Sequence, residues 1–193
     1  MTHPVSYTDP GYFDHLYASD PDPWHFATSE YERDKYAATI AALPSARYRR
    51  CFEVGCSIGV LTRALAERCD TILGVDIADN ALQQARTRCN DRPGVTFARM
   101  VVPNEWPPGR FDLLLFSEVL YYLGLEGITE AAHRTTSTLA PGGHIILVNW
   151  RGPTDGACTG EEAASRYIEA SGLEPLDVIR AEKYRLDVLT TSK

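Results

Sequence analysis

Short apolar runs alternate with helical patterns along most of the chain. Five β-strands are predicted, at about 51–54, 71–75, 95–98, 111–116 and 144–148. The run from Phe111 to Phe116 is continuous, as in central parallel strands that are buried on both faces. Three helices are predicted between these strands: one through Leu61, Leu65 and Ala66, one capped by Asp79 or Asn80 and reaching about Cys89, and one from about Thr129 to Leu139, stopped by Pro141-Gly142-Gly143.

The C-terminal part predicts a change of strand direction. A helix from Glu161 to Ala170 ends at Gly172, and two strands follow near 176–179 and 184–189. Only Arg180 to Lys183 separates these strands, which is too short for a parallel crossover and favours an antiparallel hairpin. Alternating strands and helices predict a parallel sheet with helices on both faces. We therefore expect one doubly wound, Rossmann-like α/β sheet in which only the strand at 184–189 is antiparallel.

The first 44 residues differ in pattern from the rest. Residues 1–27 are rich in Pro, Asp, Tyr and His, and Asp20-Pro21-Asp22-Pro23 breaks regular structure, so no core strand or helix is predicted there. A helix is predicted from Ser29, its cap, to Leu43, before Pro44. The chain thus divides into an N-terminal extension with a cap helix (1–44) and one domain (45–193).

Composition narrows the classes of function. The net charge of −7 and the lack of a Lys/Arg cluster disfavour nucleic acid and favour neutral or cationic partners. The five cysteines form no CxxC pair, and the five histidines show no ligand spacing, so neither a disulfide framework nor a metal site is expected. No apolar run is long enough to cross a membrane and no secretory signal is visible, which predicts a cytoplasmic location.

A glycine-bearing loop follows the first strand, in the segment Glu53-Val54-Gly55-Cys56-Ser57-Ile58-Gly59. The glycines either let the backbone approach a ligand or only allow a tight turn between strand and helix. The spacing departs from GxGxxG because Ser57 stands at the middle position, and no GxxxxGK[ST] is present, so a ligand without phosphates is favoured. Asp76 ends the second strand, where a carboxylate binds ribose hydroxyls or simply occupies a surface turn.

These segments together resemble the ordered motifs of class I S-adenosylmethionine-dependent methyltransferases. The resemblance covers about residues 45–190. Besides the glycine-bearing loop and Asp76, it rests on the segments Phe111-Asp112-Leu113-Leu114 and Leu139-Ala140-Pro141-Gly142-Gly143. It implies a seven-stranded sheet with a reversed last strand and S-adenosyl-L-methionine as cofactor. The cofactor-binding residues expected on this basis are Trp24, Arg33, Glu53, Gly55, Cys56, Gly59, Asp76, Ile77, Met100, Val101 and Ser117.

Three further segments resemble the NodS family: Asp22-Pro23-Trp24-His25-Phe26, Ser29-x-Tyr31-Glu32-Arg33-x-Lys35-Tyr36 and Ser117-Glu118-Val119-Leu120-Tyr121-Tyr122-Leu123. The resemblance implies N-methylation of the deacetylated glucosamine end of a chitooligosaccharide, or of a similar amine. Arg33 is expected to pair with the cofactor carboxylate and Trp24 to cover the site as a lid. The alternative is that Trp24 anchors the extension and Arg33 is solvated.

The acceptor is expected beside Glu118, after the fourth strand. Tyr121 and Tyr122 come three and four residues later, so a helical turn brings one phenol near the carboxylate, a pair that suits an amine. Trp150 offers a flat face to a sugar ring or a cation. In the simpler alternative, Glu118 only accepts backbone N–H bonds at a helix start.

Two departures from the methyltransferase pattern accompany these matches. Met100-Val101-Val102 replaces the acidic residue that many class I enzymes carry near adenine, and the Asn/Asp-Pro-Pro-Tyr/Phe motif of nucleic-acid amino-methylating enzymes is missing. Three alternatives stay open: methylation of another small metabolite on oxygen or nitrogen, a nicotinamide-dependent oxidoreductase, and a non-catalytic protein of the same fold.

Overall fold

The computed structural model describes residues 10–191 of the chain. Within them, one sheet of seven strands is flanked by six α-helices and a short 3-10 helix at Leu120–Tyr122. The strands are β1 (Tyr48–Val54), β2 (Cys69–Asp76), β3 (Val95–Arg99), β4 (Phe111–Ser117), β5 (Leu139–Trp150), β6 (Pro175–Arg180) and β7 (Tyr184–Thr190). The helices are α1 (Pro10–Ser19), α2 (Glu30–Ala41), α3 (Val60–Leu65), α4 (Asp79–Arg88), α5 (Gly124–Thr138) and α6 (Gly160–Ser171).

The strand order is β3-β2-β1-β4-β5-β7-β6. Strands β1 to β5 pair in parallel, while β7 is antiparallel to both β5 and β6, so β7 alone runs against the others. This confirms the predicted doubly wound sheet with its terminal hairpin. The order reverses between β1 and β4, which is where ligands bind in open α/β sheets, beyond the carboxyl ends of the strands.

Both faces of the central strands are buried, as the continuous apolar run predicts. On β4, Leu114 and Phe116 pack with Ile128 of α5 and Tyr167 of α6 on one face. On the opposite face, Leu113 and Leu115 pack against helices α3 and α2, through Leu61, Leu65, Tyr36 and Ile40. Successive strand side chains thus alternate between two apolar layers, and burial of both layers holds the strand ends, and the loops after them, in fixed positions.

Helix α1 corrects the expectation that residues 1–27 contain no core helix. Phe13 and Tyr17, one helical turn apart, are buried against Ile58 and Ala78 beside the N-terminal end of α4. The composition of the segment does not indicate this helix, because tertiary packing stabilises α1. Residues 1–9 of the predicted extension lie outside the described range.

Some helix boundaries agree with the predictions and others do not. Ser29 caps α2 as expected, since its side chain accepts a hydrogen bond from Glu32 N at 3.4 Å. The predicted cap of α4 is wrong: Ala78 holds that position, with no side-chain hydrogen bond. Helix α5 begins at Gly124, well before Thr129, and Pro141-Gly142-Gly143 lies within β5. None of these shifts moves a strand end at the site.

Candidate active site

A cavity of about 540 Å³ opens at the carboxyl edge of the sheet. Strand ends contribute Val54, Asp76, Ser117 and Trp150 to its lining, as the switch-point rule predicts. The volume falls in the range of small-molecule sites, about 300–1,000 Å³. The structure brings most of the predicted site residues together in this lining, namely Trp24, Glu53, Gly55, Cys56, Asp76, Ile77, Met100, Val101, Ser117, Glu118, Tyr121, Tyr122 and Trp150.

The two glycines of the loop are needed by the fold. Gly55 and Gly59 have φ of +76° and +77°, in the left-handed region. A Cβ at Gly55 would lie 3.0 Å from the Val119 side chain, and one at Gly59 would lie 3.0 Å from the Ala85 backbone. Gly59 does not line the cavity, while Gly55 and Cys56 do. The tight turn thus accounts for the glycines, and it presents the loop backbone to the cavity.

Asp76 is fixed by the loop that faces it. Its carboxylate accepts hydrogen bonds from Ser57 N at 2.9 Å and from Ala78 N at 3.0 Å. Burial raises the pKa of Asp76, and the backbone N–H groups oppose that rise. Asp76 lines the cavity, and because one N–H bonds each oxygen, its carboxylate is fixed there with further acceptor capacity on both oxygens.

Glu53 adds a second carboxylate beneath the loop. It lies at the end of β1 and is almost completely buried, and burial raises its pKa to about 7. Its Oε2 atom has no hydrogen-bond partner among residues 10–191. Since a buried acceptor without a partner is costly, a donor in the cavity that Glu53 lines would stabilise this oxygen.

Like Gly59, Arg33 is a predicted cofactor-binding residue that does not line the cavity. Its side chain is 66% exposed and pairs on the surface of α2 with Glu30 and Asp34. The face of α2 that lines the cavity carries Tyr31, Glu32 and Tyr36, which sequence reasoning did not assign to the site. The apolar spacing of Tyr36 and Ile40, extended one turn toward the N-terminus, would have found Glu32.

An acidic and aromatic group occupies the end of the cavity beyond β4. Glu118 has φ of +56°, and its carboxylate is hydrogen-bonded to Lys35 Nζ, not to backbone N–H groups. Burial raises the pKa of Glu118, and Lys35 opposes that rise. Tyr121, on the 3-10 helix, is buried, and both burial and the charge of Glu118 raise the pKa of its phenol. Tyr121 and Glu118 line the same cavity.

Aromatic rings close the sides of this cavity. The Trp150 ring meets Tyr31 edge-on, with centroids 5.9 Å apart. Trp24 is 39% exposed and contacts Tyr17 and Phe26, at centroid distances of 5.7 and 5.4 Å. Asp22 holds the loop that carries Trp24. Its carboxylate accepts hydrogen bonds from the backbone N–H groups of Phe26 and Ala27, four and five residues later.

Other kinds of site find little support in the described part of the chain. No group of three or more His, Cys, Asp or Glu side chains there could hold a metal ion. The five cysteines are free thiols, and four of them are buried. Between residues 10 and 191, no helix is long and apolar enough to cross a bilayer.

A family profile for Nodulation protein S (NodS) matches residues 15–164. The chain belongs to the NodS family. Nodulation protein S of Rhizobium tropici is 31% identical over 163 residues, which are 83% of this chain and 65% of that protein. A ubiquinone biosynthesis O-methyltransferase of Methylococcus capsulatus is 32% identical over 112 residues, 56% of this chain and 46% of that protein. This NodS-family chain thus spans less than two thirds of the length of either relative.

A solved NodS structure shares the fold. The N-methyltransferase NodS of Bradyrhizobium japonicum, in complex with S-adenosyl-L-homocysteine, superposes with a TM-score of 0.84. It is 22% identical, and the match covers 95% of this NodS-family chain and 99% of the other. The seven-stranded sheet with its reversed β7 is therefore the Rossmann-like fold of the methyltransferases, as the resemblance implied.

Proposed function

We propose that this protein is an S-adenosyl-L-methionine-dependent methyltransferase that methylates an amine nitrogen of a small molecule, with an amino sugar or amino-oligosaccharide as the acceptor class. One observation carries the proposal: a single cavity joins a loop-and-carboxylate half, at Gly55 and Asp76, to an acidic and aromatic half at Glu118. The first half suits a nucleoside and the second suits a cationic amine. Family membership and the N-methyltransferase named NodS favour the same chemistry.

The residues present fit the cofactor. The oriented Asp76 carboxylate suits the two ribose hydroxyls, and Ile77, Met100 and Val101 provide apolar contacts for adenine. The unpartnered Glu53 Oε2 suits the ammonium of the amino-acid part, with Cys56 and the Ser117 backbone beside it. No arginine lines the cavity within residues 10–191, so the carboxylate of the cofactor is left to backbone N–H groups of the loop.

When bound, S-adenosyl-L-methionine supplies a methyl group that its sulfonium charge has already activated. The protein then has to position an acceptor in line with that methyl group and exclude water. An amine must lose its proton before it can attack, and Glu118 is suited to accept that proton because burial raises its pKa. Trp150, Tyr121 and Tyr122 surround the acceptor with polarizable rings that stabilise a cation.

The test uses two acceptors that differ only in their amine. A chitooligosaccharide with a free amine at its terminal glucosamine is compared with its fully N-acetylated form, using methyl-labelled cofactor. We expect label on the free amine alone, since both acceptors carry the same other hydroxyls. Equal labelling of both acceptors would indicate O-methylation, the reaction named for the ubiquinone relative. If neither acceptor is labelled, and no simple amine is labelled in parallel assays, the proposal is wrong.

The lid role of Trp24 makes a separate prediction. If the loop at 22–27 closes over the cofactor, saturating S-adenosylhomocysteine should slow chymotryptic cleavage after Trp24 and Phe26, measured by mass spectrometry. The Asp76→Ala variant at the same ligand concentration is the control, because weakened binding should remove the protection. Cleavage that proceeds equally fast with and without ligand would show that Trp24 only anchors the N-terminal segment.

A further inference from the structure

Lys35 is a buried lysine that joins the two family-like segments at 29–36 and 117–123. Its side chain is 1% exposed. The Nζ atom lies 2.9 and 2.8 Å from the two carboxylate oxygens of Glu32 on α2, and it donates a hydrogen bond to Oε2 of Glu118 after β4. Glu118 is 83 positions away in the sequence. The contact therefore ties α2 to the acceptor end of the cavity.

The charges of this cluster do not cancel. A buried ammonium requires paired carboxylates, and Lys35 has two, so the ionised cluster keeps one net negative charge. The ammonium also lies 5.2 Å from the centre of the Tyr31 ring and 5.4 Å from that of Tyr36, where cation–π contacts add to its stabilisation. A second carboxylate would be unnecessary if the cluster only neutralised Lys35.

Glu118 adopts a conformation that its neighbours must hold. Its φ of +56° is unfavourable for a residue with a side chain, and its backbone N–H donates to Val148 O at 2.7 Å. With the backbone fixed by β5 and Oε2 fixed by Lys35, Oε1 is left buried with no partner among residues 10–191. Tyr31 OH, in the same part of the cavity lining, is also buried and unpartnered in that range.

A purely structural tether would not explain this pattern. An ion pair that served only to dock α2 on the sheet would be more stable with both carboxylate oxygens satisfied. Here Lys35 engages one oxygen of Glu118, and Glu118 lines the cavity that contains the acceptor end. The remaining oxygen and the Tyr31 phenol are available to a ligand with polar hydrogens.

We propose that Lys35 is a positioning residue that holds Glu118 by Oε2, so that the carboxylate stays ionised and directs Oε1 at the acceptor amine. This role rests on the proposed function. Removal of Lys35 would leave the carboxylates of Glu32 and Glu118 buried together, and one of them would then keep its proton. Removal of the Glu32 charge would do the opposite, because Lys35 would serve Glu118 alone.

The groups facing Glu118 come from several elements. Helix α2 contributes Lys35 and Glu32 with the phenols of Tyr31 and Tyr36, and the 3-10 helix contributes Tyr121. Glu53, at the end of β1, lines the same cavity, and Lys183 lies 5.3 Å from the Tyr31 ring centre. Burial raises the pKa of Glu118 most strongly, Lys35 lowers it, and Glu32 raises it further.

The experiment compares Lys35→Met with Glu32→Gln. The pKa of Glu118 is measured by ¹³C NMR titration of labelled glutamate carboxyls in the protein bound to S-adenosylhomocysteine, with Glu118→Gln identifying the signal. We expect Lys35→Met to raise that pKa by about 1 or more and Glu32→Gln to lower it. The acidic limb of the pH profile of kcat/KM should move in the same two directions, and Lys35→Arg should restore much of the parent profile.

An ion pair that only docked α2 would also move the titration of Glu118, so the deciding readout is the acidic limb of kcat/KM, which follows that titration only if Glu118 acts on the acceptor amine. If neither variant moves the Glu118 titration, or both move it the same way, the proposal is wrong. Should Lys35→Met fail to fold, Glu32→Gln and Lys35→Arg decide the matter by the same titration. The titration needs no methyl acceptor, so the proposal for Lys35 can be wrong while the proposed function stands. If the parent protein methylates no amine, the proposed function is wrong, and so is the acceptor role of Glu118.

Discussion

Replacement of Asp76 by alanine is expected to weaken binding of S-adenosylhomocysteine by about 30- to 150-fold, which corresponds to about 2–3 kcal/mol. The substitution removes the acceptor proposed for two ribose hydroxyls. It also leaves the backbone N–H groups of Ser57 and Ala78 without the carboxylate to which they donate hydrogen bonds. Bonds to a charged group lie at the upper end of the hydrogen-bond range. Isothermal titration calorimetry of parent and variant measures the effect.

Asp79→Ala is the matched control for this prediction. Asp79 lies three positions later, at the start of α4, and its exposed side chain approaches Arg99 outside the cavity. Its loss should leave the dissociation constant of S-adenosylhomocysteine within about threefold of the parent, since exposed ion pairs contribute little. Equal affinities for the parent and Asp76→Ala would mean that the ribose lies elsewhere.

The arrangement of the sheet could be predicted because local patterns determine it. The continuous apolar run at Phe111–Phe116 required a strand covered on both sides, and β4 is buried in that way. The short gap between Ile179 and Tyr184 left room only for a hairpin, and β6 and β7 form one. The positions of Asp76 and Glu118 at strand ends followed from the same pattern.

Features that depend on tertiary packing could not be predicted from the sequence. Helix α1 is stabilised by contacts of Phe13 and Tyr17 with residues that are distant in the sequence, and its composition gave no sign of them. The pairing of Lys35 with Glu118 bridges 83 positions and arises only when α2 lies over the sheet edge. A single sequence carries no local pattern for such a contact.

The exposed position of Arg33 has a local cause. Residues two apart on an α-helix point in roughly opposite directions, at about 100° per residue, so Tyr31 and Arg33 cannot both face one cavity. The helix was predicted correctly, but its rotation was not. The buried face of α2 carries Glu32, Lys35 and Thr39, and the apolar residues Tyr36 and Ile40 lie at one edge of that face. Tyr31 lies at the other edge, toward the cavity, whereas Arg33 lies beyond Tyr36 and points to solvent.

Glu118→Gln is expected to lower kcat for methylation of the amine by about 100- to 10,000-fold, the usual contribution of a general base. The variant keeps the shape of the side chain but cannot accept the proton that the ammonium must lose. Affinity for S-adenosylhomocysteine should stay within about threefold of the parent, because the proposed ribose contact is at Asp76. Single-turnover transfer of labelled methyl separates this effect from acceptor binding.

The pH dependence gives the same prediction a second readout. As pH falls through the pKa of Glu118, the carboxylate is protonated and kcat/KM of the parent should fall, and Glu118→Gln should lack that limb. Glu126→Gln, the same substitution at an exposed position of α5, is the control and should retain the parent's rate and profile. If Glu118→Gln methylates at the parent's rate while Asp76→Ala fails, Glu118 has a structural role. Catalysis would then rest on the placement of the acceptor against the methyl group, and the contact with Lys35 would serve to dock α2.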